Sequence, residues 1–174
     1  MSKNLERAGA VIHRMGIPTL FAGIVFRSRQ EAKWASFFTA LRLRWDYEPG
    51  DLAGYIPDFD VRFGKKPLLL EVKGTDEDIA LAKSKIEVSG WPGDIAIVVS
   101  AECPVIGEIY EPDTGWDRAI MGMCVACHVP TICSEAGRWG CRNCGADSRQ
   151  LWWAWSPRAA WSAACNETQW RKPA

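Results

Sequence analysis

Asp58, Glu71 and Lys73 stand in two largely apolar runs, residues 55–61 and residues 68–74. Side chains two apart in a strand point the same way, so Glu71 and Lys73 share one face while Leu68, Leu70 and Val72 share the other. A run that only filled a core would stay apolar. A carboxylate and an ammonium at its end need a partner or a role. Pro57 removes a ladder donor and suits a strand start, an edge or a bulge just before Asp58. With a turn near residues 64–67, a hairpin brings Asp58 beside Glu71. Two carboxylates at low dielectric repel, a divalent cation relieves the repulsion, and hard oxygen donors suit Mg²⁺. Lys73 can then orient or deprotonate a water beside such a metal.

A second constellation lies downstream. Cys124 and Cys127 form one Cys-x-x-Cys pair, and Cys141 and Cys144 form another after thirteen intervening residues. Each pair supplies two thiolates to one tetrahedral ion, which is the spacing of a structural zinc ribbon. His128 and Cys133 are close enough in sequence to be alternative ligands. Cys103 and Cys165 have no partner in the pattern and are expected to be buried thiols. A thiol enzyme would need an activating base, and only His13 and His128 are available. The sequence has no phosphate-binding glycine loop and no Ser/His/Asp set.

The elements that must position these residues can be read in order. Residues 2–15 carry Leu5, Ala8, Val11 and Ile12 at helical spacing, and Thr19 to Phe26 reads as extended. Ser28 with Glu31 three residues on is a capping box that starts a helix. Glu31 also lines up with Trp34, Ala35, Phe38 and Leu41 on the inward stripe, so it can serve the cap, a metal site or both. Arg27, Arg29, Lys33, Arg42 and Arg44 form a basic set around this helix, suited to phosphate contacts or to a solvated face. Leu43, Trp45 and Tyr47 alternate with polar residues as in a half-buried strand. After the two central strands, Thr75 caps a helix to Val88, with Asp76, Glu77 and Asp78 in its first turn and Lys83 and Lys85 later. Ile95 to Val99 reads as a buried strand, reached through that helix by a right-handed parallel crossover. Residues 103–116, rich in Pro, Gly and acids, read as a linker or covering loop. Trp152, Trp153, Trp155, Trp161 and Trp170 crowd the end of the chain. They close a small core, dock one module on another, or stack on bases or a partner, with Arg138, Arg142 and Arg149 nearby.

The pairing of Pro57-Asp58 with Glu71-Val72-Lys73 resembles the PD-(D/E)XK nuclease superfamily, and the spacing of thirteen is similar to that of archaeal Holliday-junction resolvases within it. The resemblance covers roughly residues 25–100. It implies an α/β, restriction-endonuclease-like αβββαβ core with a mixed sheet. It also implies a Mg²⁺- or Mn²⁺-dependent DNA endonuclease leaving a 5′-phosphate and a 3′-hydroxyl. By the same resemblance Asp58, Glu71 and the Val72 carbonyl would hold the metal, Lys73 would act on the water, and Glu31 would assist. The rival expectation is a binding module that keeps the fold without chemistry, or a regulator working through its zinc ribbon and tryptophans.

With 174 residues, 48% hydrophobic and 24% charged, the chain has room for one domain and a small module. The expected division is a nuclease-like domain over residues 1–118 and a zinc ribbon with a Trp-rich tail over 119–174. No membrane span or signal pattern is evident, and paired cysteines used for metal suit a cytoplasmic setting. Net charge is zero, but Lys and Arg outnumber Asp and Glu by eight to four in residues 1–50 and by six to three in 119–174, whereas acids lead by fourteen to seven between them. Basic ends around an acidic centre suit a metal nuclease that grips DNA, with a homodimer if both strands are cut. A small protein of this pattern suits a phage or mobile element.

Overall fold

The computed structural model describes residues 16–52, 54–136, 140–147, 151–152 and 155–169. The helix expected over residues 2–15, His13, Arg138, Arg149, Trp153 and Trp170 lie outside the described residues. The chain opens with a short hairpin of β1 (Thr19–Phe21) and β2 (Ile24–Phe26), turned by Ala22 and Gly23, both at positive φ. Such a pair suits a two-residue hairpin loop. Helix α1 (Arg29–Ala40) starts at Ser28, whose Oγ accepts the Glu31 N–H at 3.1 Å. Strands β3 (Arg44–Tyr47), β4 (Phe59–Phe63) and β5 (Lys66–Val72) follow, then α2 (Asp76–Val88) and β6 (Ile95–Val98). The chain therefore has the expected order of helix, three strands, helix and strand.

The molecule is mixed α/β. Strands β3, β4 and β5 are antiparallel, and β6 lies parallel to β5 with Val72 opposite Val98. Residues 103–116 are a correction to the sequence reading: most form β7 (Val105–Glu111) and the start of β8 (Gly115–Cys124), a hairpin that extends the sheet. The Pro, Gly and acidic content that suggested a loop belongs to the turn and to a bulge between Val105 and Gly107. A Cβ on Gly107 would lie 1.9 Å from the Ile97 carbonyl oxygen, so glycine is what lets the bulge close onto β6. Beyond β8 come β9 (Pro130–Ser134), β10 (Leu151–Trp152) and helix α3 (Arg158–Glu167). The sheet order is β10-β8-β7-β6-β5-β4-β3, with β9 also paired to β8. The division expected between residues 118 and 119 falls inside β8, so one sheet continues across it.

Alternation on the central strands divides the core between the two faces of the sheet. Phe59, Val61, Phe63, Leu68, Leu70 and Val72 join the buried residues of α1, while Leu69, Ile95 and Ile97 pack with Ala82 and Ile86 of α2. Helix α1 is buried more completely than an amphipathic stripe requires because α3 covers its other side. Trp161 lies 4.8 Å from Trp34 and 5.6 Å from Phe37 between ring centroids, and Ser36 meets Glu167 at 2.5 Å. At least one tryptophan of the tail is thus spent in the core: Trp161 is 3% exposed. Cys103, expected to be buried, is exposed, because it sits in the turn before β7; Cys165 is half-buried.

Candidate functional site

The hairpin of β4 and β5 turns through Gly64 and Lys65, with Phe63 opposite Lys66 at one end and Phe59 opposite Leu70 at the other. The residues following that last pair are Asp58 on one strand and Glu71 on the other, so the register itself brings the two acids together. Both are buried, at 2% and 7% exposure. Asp58 Oδ2 accepts the Val72 backbone N–H at 2.7 Å, and its Oδ1 accepts from Arg27 Nη2 at 2.7 Å. Lys73 Nζ lies 2.5 Å from Glu71 Oε1 and 3.9 Å from Asp58 Oδ2. Glu31, reaching in from the first turn of α1, completes the group.

A cavity of about 460 Å³ is lined by Glu31, Asp58, Glu71 and Lys73 together, along with Arg27 and Tyr55. A neighbouring cavity of about 470 Å³ shares Glu31, Glu71 and Lys73 and reaches Val72 and the start of α2. The four expected acid and lysine positions are thus brought to one place. Of the basic set, Arg27 reaches it. Arg29 lines a separate cavity with Ile17, Leu20 and Thr168, and Lys33, Arg42 and Arg44 line neither cavity at the acids. Arg42 and Arg44 are exposed at the far end of α1 and on β3, the terminal strand of the sheet order. Closeness in sequence to α1 therefore does not bring these cations to one surface.

Glu31 serves its cap and the cavity at once. Its Oε1 accepts the Ser28 hydroxyl at 2.8 Å, while Oε2 accepts the Tyr47 hydroxyl at 2.6 Å and the Arg27 N–H at 3.2 Å. Tyr47 and Tyr55 are the residues sequence reasoning missed. Tyr55 donates to Glu71 Oε2 at 3.0 Å, so each glutamate takes one phenolic hydroxyl. Tyr47 looked like one more half-buried strand residue, and Tyr55 precedes β4 beside a lone bridge to Leu52. The available signal was that a buried tyrosine needs a partner for its hydroxyl. Lys85 of α2 also lines both cavities.

The electrostatics follow from burial and crowding. Burial, reinforced by the Glu71 charge, pushes Asp58 up to about 7 against the opposing pull of Lys73 and the Val72 N–H. Burial lowers the Lys73 ammonium, but Asp58 and Glu71 outweigh it and hold Lys73 above its ordinary value. Burial and the bond to Glu31 push Tyr47 up to about 12, and burial with the Glu71 charge raises Tyr55. The cavity is a site of concentrated negative charge in which Arg27 pairs with Asp58 and Lys73 with Glu71.

The sulfur atoms of Cys124, Cys127, Cys141 and Cys144 form a second site, all within 4.8 Å of one another. Cys124 lies 3.7 Å from Cys144 and Cys127 3.5 Å from Cys141. A tetrahedral ion with ~2.3 Å metal–sulfur bonds places its ligands ~3.8 Å apart. These four could hold a metal ion, and the set fits Zn²⁺. His128 is exposed at positive φ, and Cys133 points its thiol at the Ile120 carbonyl at 3.8 Å, so neither belongs to the group. Arg142, between the last two cysteines, anchors the knuckle by donating to the Ile132 carbonyl in the middle of β9 and to Asp94 just before β6.

No family model matches the chain, and no curated protein or solved structure matches it significantly. Among the described residues no helix is long and apolar enough to cross a membrane.

Proposed function

We propose that this protein is a Mg²⁺-dependent DNA endonuclease that hydrolyses phosphodiester bonds, with a structural zinc ribbon at its C-terminal end. The observation that carries the reading is the convergence of Glu31, Asp58, Glu71 and Lys73 on one cavity. The donor set suits a small hard cation. The oxygens are carboxylates, all three acids are buried, and Asp58 is pushed up by burial and by the Glu71 charge, a repulsion that a cation would relieve. Asp58 and Glu71, with the Val72 carbonyl, would hold Mg²⁺ or Mn²⁺. The ion supplies Lewis-acid stabilisation of a phosphate and a bound water of lowered pKa. Lys73 would orient a water and offset charge at the phosphate, Glu31 would help to hold the ion directly or through water, and the Tyr47 and Tyr55 hydroxyls fix the two glutamates. Resemblance to the PD-(D/E)XK superfamily supports the same assignment and gives a 5′-phosphate and a 3′-hydroxyl as products. Cutting both strands would draw on two copies of the chain.

The test is incubation with branched, linear and single-stranded DNAs and Mg²⁺ or Mn²⁺. Cleavage that disappears in chelator and in Asp58→Asn is the expected result. Intact DNA across the whole panel would overturn the assignment. One observation favours a second reading, a DNA- or protein-binding module without chemistry: Asp58 and Glu71 already have cationic partners in Arg27 and Lys73. Affinity for DNA with no cleavage under any metal would select it. In either reading Trp161 is not a partner contact, since it is buried between α1 and α3.

A further inference from the structure

The charge balance of the acid cavity turns on Arg27. This residue follows β2 and immediately precedes the Ser28 cap, so its backbone is fixed by α1 and by the N–H it donates to Glu31. Its side chain is another matter. The side chain is 59% exposed, yet one end of its guanidinium lies on Asp58, which is almost fully buried. The rest meets Glu48 at 3.0 Å and the Tyr47 hydroxyl at 3.3 Å.

The two oxygens of Asp58 are not equivalent. Oδ2 receives a backbone N–H from β5, which cannot leave without unpairing the strand end. Oδ1 receives only a side chain that already stands half in solvent. A divalent cation approaching Asp58 therefore meets a fixed donor on one oxygen and a removable one on the other. A guanidinium released at the mouth of the cavity keeps its fork of N–H donors, whose geometry suits a phosphate oxygen pair.

We propose that Arg27 is a displaceable counterion, bound to Asp58 in the metal-free protein and transferred to a phosphate of the nucleic-acid backbone when a divalent cation takes Asp58 Oδ1. The inference rests on the metal reading of the acid cavity. It makes binding of cation and phosphodiester mutually reinforcing, since each removes a competitor of the other, and such coupling is reciprocal. The same exchange discourages loading of the site in the absence of DNA.

The experiment measures Ca²⁺ affinity calorimetrically, with and without a short DNA duplex, for the full chain, Arg27→Met and Asp58→Asn. Ca²⁺ occupies such sites while seldom supporting hydrolysis, so the readout is independent of turnover. In the wild type, DNA should tighten Ca²⁺ binding by a factor in the ordinary range of allosteric coupling, about 5- to 150-fold. Arg27→Met should bind Ca²⁺ about tenfold more tightly than wild type without DNA, and DNA should then tighten it severalfold less. Arg27→Gln reads the same exchange should the methionine variant fold poorly. Unchanged Ca²⁺ affinity in both variants, or undiminished coupling to DNA, would overturn the role of Arg27 while leaving the metal site standing. Equal Ca²⁺ binding by wild type and Asp58→Asn would overturn the metal site, and this inference with it.

Discussion

The backbone N–H of Val72 donates to Asp58 Oδ2 at 2.7 Å, so the acid at the start of β4 is fastened to the end of β5 by the chain that carries Glu71 and Lys73. The bond continues the hairpin by one step in which a side chain replaces a carbonyl. It fixes Asp58 relative to its neighbours without a ligand.

Asp58→Asn keeps an oxygen for the Val72 N–H and removes the charge. DNA cleavage should fall by at least ~10², the scale on which a preorganised electrostatic group contributes, with the circular dichroism spectrum unchanged. Affinity for DNA should be largely retained, because it draws on distributed basic contacts. Cleavage assays on the purified variant at wild-type rates would refute the role of Asp58.

Lys73 separates chemistry from ion pairing. Its partner Glu71 is buried, so if the lysine only answers that charge, Lys73→Met should lower stability by about 3–5 kcal/mol, the range for leaving a buried charge unpaired, and leave turnover largely intact. If it acts on the attacking water, turnover in Mg²⁺ should fall by about 10² while DNA affinity in Ca²⁺ stays level. Equal turnover in the two proteins would remove Lys73 from the mechanism.

The metal-free protein should lose stability as pH rises through the acid range. Asp58 binds its proton more tightly when folded, moving from an ordinary 3.8 up to about 7. Its contribution is therefore fully present below about pH 4 and is lost as pH approaches 7. Asp58→Asn should flatten that part of the profile and gain stability over wild type near neutrality. Urea midpoints in chelator across pH 4 to 8 measure this, and parallel profiles would contradict it.

Purified protein should contain one zinc per chain by elemental analysis. Cys124→Ser should abolish stoichiometric zinc and loosen residues 124–147, since metal binding in a small module is coupled to its folding. Hydrogen exchange confined to that region is the expected signature.

Trp161→Ala should cost about 3–5 kcal/mol, the range for truncating a buried aromatic, and should release α3 from α1. A thermal midpoint within a degree of wild type would mean that α3 is not part of the cooperative unit.

Much of the acid site was legible because the residues that build it are local. Two strands, one turn and a proline placed Asp58 beside Glu71, and the capping pattern placed Glu31 at the start of a helix. The element order through β6 and the four sulfur ligands were legible for the same reason. What escaped depended on contacts across the fold. Tyr47 and Tyr55 show their role only when β3 and the approach to β4 close around the glutamates. The strand at 105–111 was hidden because its bulge glycine and acidic residues mimic a loop. The basic set was too generous, since only tertiary structure separates Arg27 at the acids from Arg29 beside α3.

Gly64, in the turn of the β4–β5 hairpin, lies against the side chain of Asn143, and a Cβ there would stand 2.1 Å from Asn143 Oδ1. The sulfur knuckle is thus moulded onto a turn that lies at the end of the hairpin opposite the acids. A graft that moved the cysteine segment to another scaffold would leave that shape behind, and a chain cut at residue 118 would part β8 midway. The protein is consequently a poor source of interchangeable cassettes: its acid hairpin and its four-cysteine cluster are to be transplanted as one piece or not at all.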